Sequence, residues 1–227
     1  MLNVYSLKVD ELIGLEKNSD LAVRIDSKLD SERLKIVNRM TSNSSGCATA
    51  RGAGLLLQYV GQKFMDWQMN PEILTTADEP VELTVKTVHE ILDCLGERID
   101  FQYRHGPEGK PYWAKTGMPF FNVSHSAGIV MIAVSDVEIG IDIQRIKGKN
   151  ELNMARRFYS ENEANLVEND CEIFYKLWAR KEALGKRTGQ GVRPYLNVDL
   201  SDADSEYMKQ FTWNELKIED YYICICR

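Results

Sequence analysis

The sequence predicts an α+β fold, in which strands and helices are mixed along the whole chain. Short runs with an apolar residue at every second position are typical of half-buried strands, and longer segments with apolar residues three or four positions apart are typical of helices. Both kinds of segment occur in each half of the 227 residues. A mixture of this kind favours an α+β arrangement over an all-helical or an all-strand one.

The first half of the chain is predicted to open with a strand and to continue with helices. The strand and two helices are predicted at residues 3–9, 31–40 and 48–64. Residues 67–82 hold two prolines among polar residues, which is typical of a long connection. Apolar spacing over residues 85–95 predicts another helix, with a glycine placed to end it.

The second half alternates turn residues and short apolar runs before helices follow. Gly and Pro predict turns at residues 105–111 and 117–119. Strands are predicted at residues 120–123, 129–134, 139–143 and 221–226. Helices are predicted at residues 151–158, 160–167 and 171–186, ended by the Gly-Gln-Gly of residues 189–191. Residues 135–138 have the length of a hairpin connection between two of these strands.

The overall charge limits which partners the protein can bind. Lys and Arg number 28 and Asp and Glu number 34, so the formal net charge is −6. Nucleic-acid binding needs a clustered positive surface, and we expect no nucleic acid among the partners. No stretch approaches the ~18 apolar residues of a membrane span, and residues 1–10 lack a signal-peptide pattern. We therefore expect a cytoplasmic protein that binds no membrane.

The five cysteines show no metal-ligand spacing. An odd number of cysteines in a chain without a signal peptide indicates reduced thiols. Cys224 and Cys226 alternate with isoleucines, so we interpret them as small core residues on one face of a strand.

Three segments carry residues suited to phosphate chemistry, and the first is residues 121–128, Phe-Asn-Val-Ser-His-Ser-Ala-Gly. A strand that ends in Ser-His-Ser and a glycine presents hydroxyls, an imidazole and backbone N–H groups, which suit a phosphate. Without further context an ordinary polar turn is the commoner explanation of such a short motif.

The second segment is a strand interrupted by an aspartate, residues 139–144, Ile-Gly-Ile-Asp-Ile-Gln. The isoleucines point to one face of the strand, so Gly140, Asp142 and Gln144 share the other. A strand carboxylate suits Mg²⁺, which takes one or two protein carboxylates and completes its shell with water and phosphate oxygens. A solvated strand face is the alternative interpretation of a single aspartate.

The third segment is helical, residues 177–186, Leu-Trp-Ala-Arg-Lys-Glu-Ala-Leu-Gly-Lys. Trp178, Glu182 and Lys186 follow one another at i, i+4 steps, so a carboxylate and an ammonium stand side by side. An exposed ion pair would explain the charges. It does not explain Gly185, which costs about 1 kcal/mol relative to alanine inside a helix and indicates a close approach by another group.

Together the three segments resemble the signature of the surfactin-type 4′-phosphopantetheinyl transferase superfamily. That signature is a Val/Ile-Gly-Ile/Val-Asp strand followed by a Trp/Phe-x-x-Lys-Glu-x-x-x-Lys helix. Residues 139–142 and 178–186 match its two parts, with Asn-Val-Ser-His-Ser ahead of them. The resemblance is clear over residues 109–191. It implies an α+β fold of two similar subdomains related by a pseudo-two-fold axis, at residues 1–117 and 118–227, the second carrying the metal and coenzyme A motifs.

The resemblance also implies a metal that bridges the pyrophosphate of coenzyme A. The metal would be Mg²⁺, with Mn²⁺ as an alternative, and the matching ligands are Asp142 and Glu182. Many members carry a third acid where this chain has Gln144. An amide can bind a metal-held water, and we expect a water in that position.

Further residues match family positions that contact coenzyme A. Lys186 matches the lysine on the phosphate under attack, which makes it a catalytic and a coenzyme A-binding residue together. Ser124 and His125 match residues that hold the 3′-phosphate, and Lys110, in Gly-Lys-Pro, matches a lysine at the nucleotide end. A solvated turn residue is the alternative for Lys110. The N-terminal phosphate-binding arginine of the family has no secure counterpart, because the register of Arg51 is ambiguous.

Glu163 matches a glutamate proposed in the family as the base that deprotonates the carrier serine. Residues 160–163, Ser-Glu-Asn-Glu, are equally well explained as a capping box at the start of a helix. Both roles of Glu163, base and helix cap, therefore stay open. Metal-bound water or hydroxide is a further candidate for the base.

The implied activity is transfer of the 4′-phosphopantetheine group of coenzyme A to a serine of an apo acyl or peptidyl carrier protein. The products are the holo-carrier and 3′,5′-ADP, and we expect a monomer. Two alternatives stay open: a catalytically weak module that binds coenzyme A or a carrier, and a coenzyme A-dependent acyltransferase, which would release no 3′,5′-ADP. The motifs do not indicate which carrier is served.

A patch of basic and apolar residues is predicted to bind the carrier. An acidic protein cannot attract an acidic carrier by its overall charge, so a local surface is needed. The patch consists of Lys147, Lys149, Arg156 and Arg157 beside Met154 and Phe158. A solvated helix face whose apolar residues pack inward is the alternative.

Overall fold

The computed structural model describes residues 2–41, 44–65, 83–148 and 151–227. Their contacts divide the chain into two compact units, Met1–Arg104 with Pro111–Asp136 (unit 1) and His105–Lys110 with Val137–Arg227 (unit 2). Strands and helices occur in both units, so the α+β class is confirmed. The pseudo-two-fold relation of two subdomains stays a prediction.

Unit 1 is built on a four-stranded sheet. The strands up to residue 135 are β1 Leu2–Lys8, β2 Leu83–Lys86, β3 Tyr103–His105, β4 Pro111–Trp113, β5 Phe120–Ser126 and β6 Ile129–Ser135. The helices are α1 Asp20–Asp26, α2 Ser31–Asn38, α3 Ser45–Lys63 and α4 Val88–Cys94. The sheet order is β2-β1-β6-β5, with β1 parallel to β2 and antiparallel to β6, and β5 antiparallel to β6. β3 and β4 form a separate two-stranded sheet.

Helix α3 packs against β1 and β6 and buries most of its residues. Two glycines let α3 approach residues outside these strands: a Cβ on Gly52 would lie 2.2 Å from Cγ1 of Val9, which follows β1, and one on Gly61 would lie 2.5 Å from the Phe101 ring. The predicted strand at residues 3–9 and the predicted helices at 31–40 and 48–64 are confirmed to within a few residues. The connection predicted at residues 67–82 lies outside the described residues.

The helix predicted over residues 85–95 begins later than expected. Residues 83–86 form β2, and Thr87 is the N-cap of α4. The Thr87 hydroxyl accepts a hydrogen bond from the Glu90 N–H at 3.2 Å, and the Glu90 carboxylate accepts one from the Thr87 N–H at 2.7 Å. This capping box fixes the helix start, because it satisfies donors that the first turn leaves without helical partners.

Unit 2 is built on a three-stranded antiparallel sheet in the order β7-β9-β8. Its strands are β7 Gly140–Arg145, β8 Trp213–Ile218 and β9 Tyr221–Cys226. Its helices are α5 Glu151–Phe158, α6 Glu161–Asn169, α7 Glu172–Thr188 and α8 Glu206–Gln210. Helix α7 packs on β7 and β9 and ends at Gly189, whose φ of 69° is in the left-handed region that favours glycine. The predicted helices and the strand at 221–226 are confirmed.

The hairpin predicted across residues 135–138 was wrong. β6 pairs with β1 and β5, whereas β7 pairs with β9. This pairing groups residues 118–136 with unit 1. The subdomain boundary between residues 117 and 118 stays a prediction.

All five cysteines are free thiols. Cys47, Cys224 and Cys226 are buried, and Cys94 and Cys171 are exposed. The interpretation of Cys224 and Cys226 as core residues is confirmed. Within the described ranges, no helix combines the length and the apolar character that a membrane crossing requires.

Candidate functional site

The candidate site lies where strand β7 and helix α7 pack closely together. A Cβ on Gly140 would lie 2.0 Å from the carbonyl oxygen of Ala183 and 2.4 Å from the backbone nitrogen of Arg187. Only a glycine fits this gap. Alternation along the strand puts Asp142 and Gln144 on the same face as Gly140, so both side chains point to the α7 side of the sheet.

Asp142 is buried and carries hydrogen bonds on both carboxylate oxygens. Its Oδ1 accepts from Nζ of Lys186 at 2.6 Å, and its Oδ2 accepts from Nε2 of Gln144 at 2.7 Å. Nζ of Lys186 also donates to the Ile141 carbonyl at 3.1 Å. The predicted proximity of Asp142 and Gln144 is confirmed. The alternative of a solvated strand face was wrong, since Asp142 is only 3% exposed.

Glu182 is half-buried one helical turn before Lys186. Burial raises the pKa of its carboxyl, the negative charge of Asp142 raises it further, and the Lys186 ammonium partly offsets both effects. A bound cation would offset the unfavourable effect that the negative charge of Asp142 has on the ionised Glu182 carboxylate.

The donor set fits a hard divalent cation. Asp142 and Glu182 offer carboxylate oxygens, and Gln144 offers an amide. In the part of the chain that the structure describes, no group of three or more His, Cys, Asp or Glu side chains is arranged to hold a metal. Mg²⁺ suits such a sparse set, because it keeps several waters and needs only one or two carboxylates beside substrate phosphates.

The close approach predicted at Gly185 is confirmed, and the approaching group belongs to the chain itself. A Cβ at this position would lie 2.4 Å from the Gly191 carbonyl oxygen and 2.8 Å from the Val192 nitrogen. The segment after α7 therefore folds back against the helix. This packing holds the part of α7 that carries Glu182 and Lys186.

Lys110 is buried, so the alternative of a solvated turn residue was wrong. Its Nζ donates to Oε2 of Glu138 at 2.6 Å, to the Ile139 carbonyl at 3.0 Å and to the Arg187 carbonyl at 3.2 Å. Burial lowers the pKa of its ammonium, and Glu138 partly offsets this. Lys110 thus joins the residues that precede β7 to the end of α7.

Ser124 and His125 lie at the end of β5 in unit 1. Ser124 is buried, whereas His125 is exposed and lines an open pocket of about 420 Å³. Arg33 of α2 and Ser45 and Thr49 of α3 line the same pocket. The first turn of a helix presents N–H groups and a partial positive charge, which with an arginine and an imidazole suits an anion.

Sequence reasoning missed Arg33 as a residue of this pocket. It lies far from the Ser-His motif along the chain, and no local pattern marks it. Arg51, the other candidate arginine, is buried and makes two 2.9 Å hydrogen bonds from Nε and Nη2 to the Asp26 carboxylate. Its guanidinium is thus held inside unit 1 by Asp26.

Glu163 is a capping residue in the structure. The Ser160 hydroxyl accepts from the Glu163 N–H at 3.2 Å, and Oε2 of Glu163 accepts from the Ser160 N–H at 3.1 Å. The capping box is therefore confirmed. The same carboxylate also forms an ion pair of 2.8 Å with Lys181, and both side chains are 0% exposed. These contacts favour the cap over the base.

The candidate site thus places two carboxylates, an amide and an ammonium, groups suited to a metal and to phosphate, on an α+β scaffold. Comparison with known proteins shows which family this chain is similar to. Residues 138–226 match the family described as the 4′-phosphopantetheinyl transferase superfamily. This region contains β7, α7 and the candidate metal ligands Asp142, Gln144 and Glu182. The resemblance predicted from the motifs is confirmed.

Individual relatives agree with this match. The chain is 38% identical over 120 residues to slr0495 of Synechocystis sp., covering 49% of this chain and 48% of the relative. It is 37% identical to the 4′-phosphopantetheinyl transferase psf-1 of Bacillus pumilus, over 46% of each chain. It is 36% identical to the 4′-phosphopantetheinyl transferase of Bacillus subtilis, over 37% of this chain and 39% of the relative. The chain thus spans about half the length, or less, of these relatives.

Proposed function

We propose that this protein transfers the 4′-phosphopantetheine group of coenzyme A to a serine of an apo acyl or peptidyl carrier protein and that the transfer requires Mg²⁺. One observation carries the proposal. Asp142, Glu182 and Lys186 are brought together on β7 and α7, inside the region that matches the transferase superfamily.

Asp142 and Glu182 would hold the metal, and Gln144 would contact it through a water. Mg²⁺, or Mn²⁺ in its place, supplies positive charge that neutralises the pyrophosphate of coenzyme A when it is bound. The negative charge of Asp142 raises the pKa of the Glu182 carboxyl, and this nearness of two acidic groups supports the assignment.

The chain's own residues bind and orient the reactants. Lys186 is partly exposed, and its Nζ lies 2.6 Å from Oδ1 of Asp142, which puts its positive charge beside the candidate metal ligand. It would stabilise the charge that grows as the serine oxygen bonds to the β-phosphorus and the P–O bond to 3′,5′-ADP breaks. His125 and Arg33, which line the pocket of unit 1, would hold the 3′-phosphate there. Ser124 precedes His125 on β5 and is proposed to assist them on the strength of the family match alone, because it is buried and does not line the pocket. Catalysis of this kind is mostly positioning and charge stabilisation.

Helix α5 would bind the carrier. Met154, Arg156 and Arg157 are exposed on it, while Ala155 is buried and Phe158 is half-buried with the Arg157 guanidinium 5.0 Å from its ring centre. An exposed methionine beside two arginines supports docking over an inward-packed apolar face, since such residues supply both contact area and steering. Lys147, also exposed, precedes the helix, and Lys149 lies outside the described residues.

We also keep the proposals of a cytoplasmic enzyme and of a monomer. The five free thiols support the first, because thiols persist in reducing compartments. The second rests on the sequence argument that one chain carries both predicted subdomains.

Intact-mass analysis of purified apo-carriers after incubation with coenzyme A and Mg²⁺ tests the proposal. We expect one carrier serine to gain the mass of one phosphopantetheine group, and a carrier with that serine changed to alanine to gain nothing. Asp142→Ala and Glu182→Ala should each lose most of the turnover while staying folded by circular dichroism, since each removes charge from the metal site. Full turnover in EDTA, or in both variants, would contradict the metal assignment.

A further inference from the structure

We propose that Glu163 is a positioning residue. Its ion pair with Lys181 fixes the rotation of α7 about its axis, so that Glu182 is directed towards Asp142. In this role Glu163 is not the base that takes the serine proton. This inference rests on the proposed function, because it concerns the residues that would hold the metal.

The carboxylate of Glu163 is fully engaged inside unit 2. Its Oε2 accepts from Nζ of Lys181 at 2.8 Å and from the Ser160 N–H and hydroxyl at 3.1 and 3.2 Å. Its Oε1 accepts from the Leu200 N–H at 2.9 Å. The side chain is 0% exposed. A general base must reach the proton that it removes directly or through one water, and this carboxylate presents no surface to a carrier serine.

Lys181 is held equally firmly from the side of α7. Besides Glu163, its Nζ donates to the Tyr195 carbonyl at 3.2 Å and to the Val198 carbonyl at 2.5 Å. An ammonium has three donor hydrogens, and three acceptors satisfy them. The side chain of Lys181 is 0% exposed, so the charge depends on Glu163 for its neutralisation.

A second connection closes the network into a ring. Leu200, whose N–H donates to Glu163, accepts through its carbonyl a hydrogen bond from Nη1 of Arg180. Arg180 precedes Lys181 on α7 and also makes a two-point ion pair with Glu215 of β8, at 2.7 and 2.8 Å. Two consecutive residues of α7 are thus tied to fixed partners.

Fixing Lys181 fixes Glu182, which follows it directly on the helix. Successive residues point about 100° apart around a helix, so a rotation of α7 that moves one must move the other. Gly140 leaves no space for α7 to shift towards β7. The ion pair of Glu163 and Lys181 therefore acts through the backbone of α7 and sets the direction in which the Glu182 side chain leaves the helix.

Three variants test the inference: Glu163→Gln, Lys181→Met and the double variant. The first measurement is the affinity of each variant for Mn²⁺ in the presence of coenzyme A, determined by electron paramagnetic resonance below the unfolding temperature. Each single variant should weaken Mn²⁺ binding by up to about 10- to 100-fold, the loss that follows when a metal ligand is no longer correctly oriented. The double variant should recover much of the loss, because it removes both buried charges together.

A matched control is Glu90→Gln in the capping box of α4. It is the same substitution at the same capping position, in unit 1. It should lower the melting temperature and leave Mn²⁺ binding unchanged. If Glu163→Gln behaves like this control, Glu163 is a cap only and the inference is overturned.

Carrier kinetics separate positioning from proton transfer. If Glu163 were the general base, Glu163→Gln should lower kcat by about 10²- to 10⁴-fold and leave Mn²⁺ binding intact, and Lys181→Met should stay active. This result would overturn the inference. Positioning predicts that both single variants lose kcat together with Mn²⁺ affinity. If Lys181→Met does not fold, Glu163→Gln and the double variant still distinguish the two. A wild-type protein that transfers nothing contradicts the proposed function, whereas normal transfer and normal Mn²⁺ binding in Glu163→Gln contradict this inference alone.

Discussion

Replacing Gly140 by alanine should separate β7 from α7 and damage the site without touching a charged group. The new Cβ would lie 2.0 Å from the Ala183 carbonyl oxygen and 2.4 Å from the Arg187 nitrogen, whereas ordinary contacts lie at 3.4–4 Å. Both obstacles are backbone atoms of α7, so no side-chain rotation can relieve the clash. The helix must move away from the strand by more than an ångström.

The expected effects follow from that displacement. Overpacking of this kind costs about 1–3 kcal/mol of the free energy of unfolding. At about 2–4 °C per kcal/mol for a chain of this size, the melting temperature should fall by roughly 2–12 °C. Movement of α7 carries Glu182 and Lys186 away from Asp142, and a misplacement of about 1 Å can cost about 10²-fold in turnover.

Thermal denaturation and carrier modification on the same preparation provide the assay. Gly96→Ala is the control, because the nearest atom to its new Cβ, Oε1 of Gln62, would lie 3.8 Å away. It should keep both the melting temperature and the turnover. An unchanged melting temperature and turnover in Gly140→Ala would refute the packing argument.

Three further predictions concern the metal, the thiols and the carrier. Gln144→Glu should tighten metal binding or shift the preference between Mg²⁺ and Mn²⁺, because it adds negative charge beside Asp142. If the activation curves for both ions match those of the wild type, residue 144 does not reach the metal. A thiol reagent at pH 8 should label the two exposed cysteines of the folded protein and all five cysteines after unfolding. Burial raises the pKa of the three buried thiols, that of Cys226 to about 12, so they stay protonated in the folded protein. Fast labelling of more than two in the folded protein would contradict this. Reversing the charge of Arg156 and Arg157 should raise KM for the carrier, weaken the salt dependence of that KM, and leave KM for coenzyme A nearly unchanged. Arg24→Glu is the control, because Arg24 is another exposed arginine in an ion pair. Unchanged carrier kinetics at low salt would show that the carrier docks elsewhere.

Local patterns predicted most elements of the fold. The errors were one wrong strand pairing, one misplaced helix start, and short elements that were not predicted, such as α1, α8 and β8. Residues 135–138 have the length of a hairpin connection, but β6 and β7 do not pair with each other. Strand β6 pairs with β1 and β5, whereas β7 pairs with β9, near the end of the chain. The late start of α4 was readable, since Thr87-x-x-Glu90 is a capping box. Strand β8 carries no regular alternation of apolar residues and gave no signal.

The candidate metal ligands of unit 2 were more predictable than the anion pocket of unit 1. Alternation along β7 and helical spacing along α7 are enough to place Asp142 beside Gln144 and Glu182 beside Lys186. Arg33 could not be predicted, because only the tertiary structure brings α2 to the Ser-His turn. The burial of Lys110 was equally hidden, since its three acceptors are a glutamate and two carbonyls far along the sequence.

The most direct test of the central claim is to count 3′,5′-ADP against modified carrier in one reaction. Coenzyme A, Mg²⁺ and an apo-carrier are incubated with the protein, the nucleotide is measured by chromatography and the carrier by intact mass. We predict one 3′,5′-ADP for each phosphopantetheine group attached, with neither product when Asp142→Ala replaces the wild type. Carrier acylation without 3′,5′-ADP would identify an acyltransferase, and coenzyme A binding with neither product across a panel of carriers would identify a binding module; either result would contradict the proposed transfer.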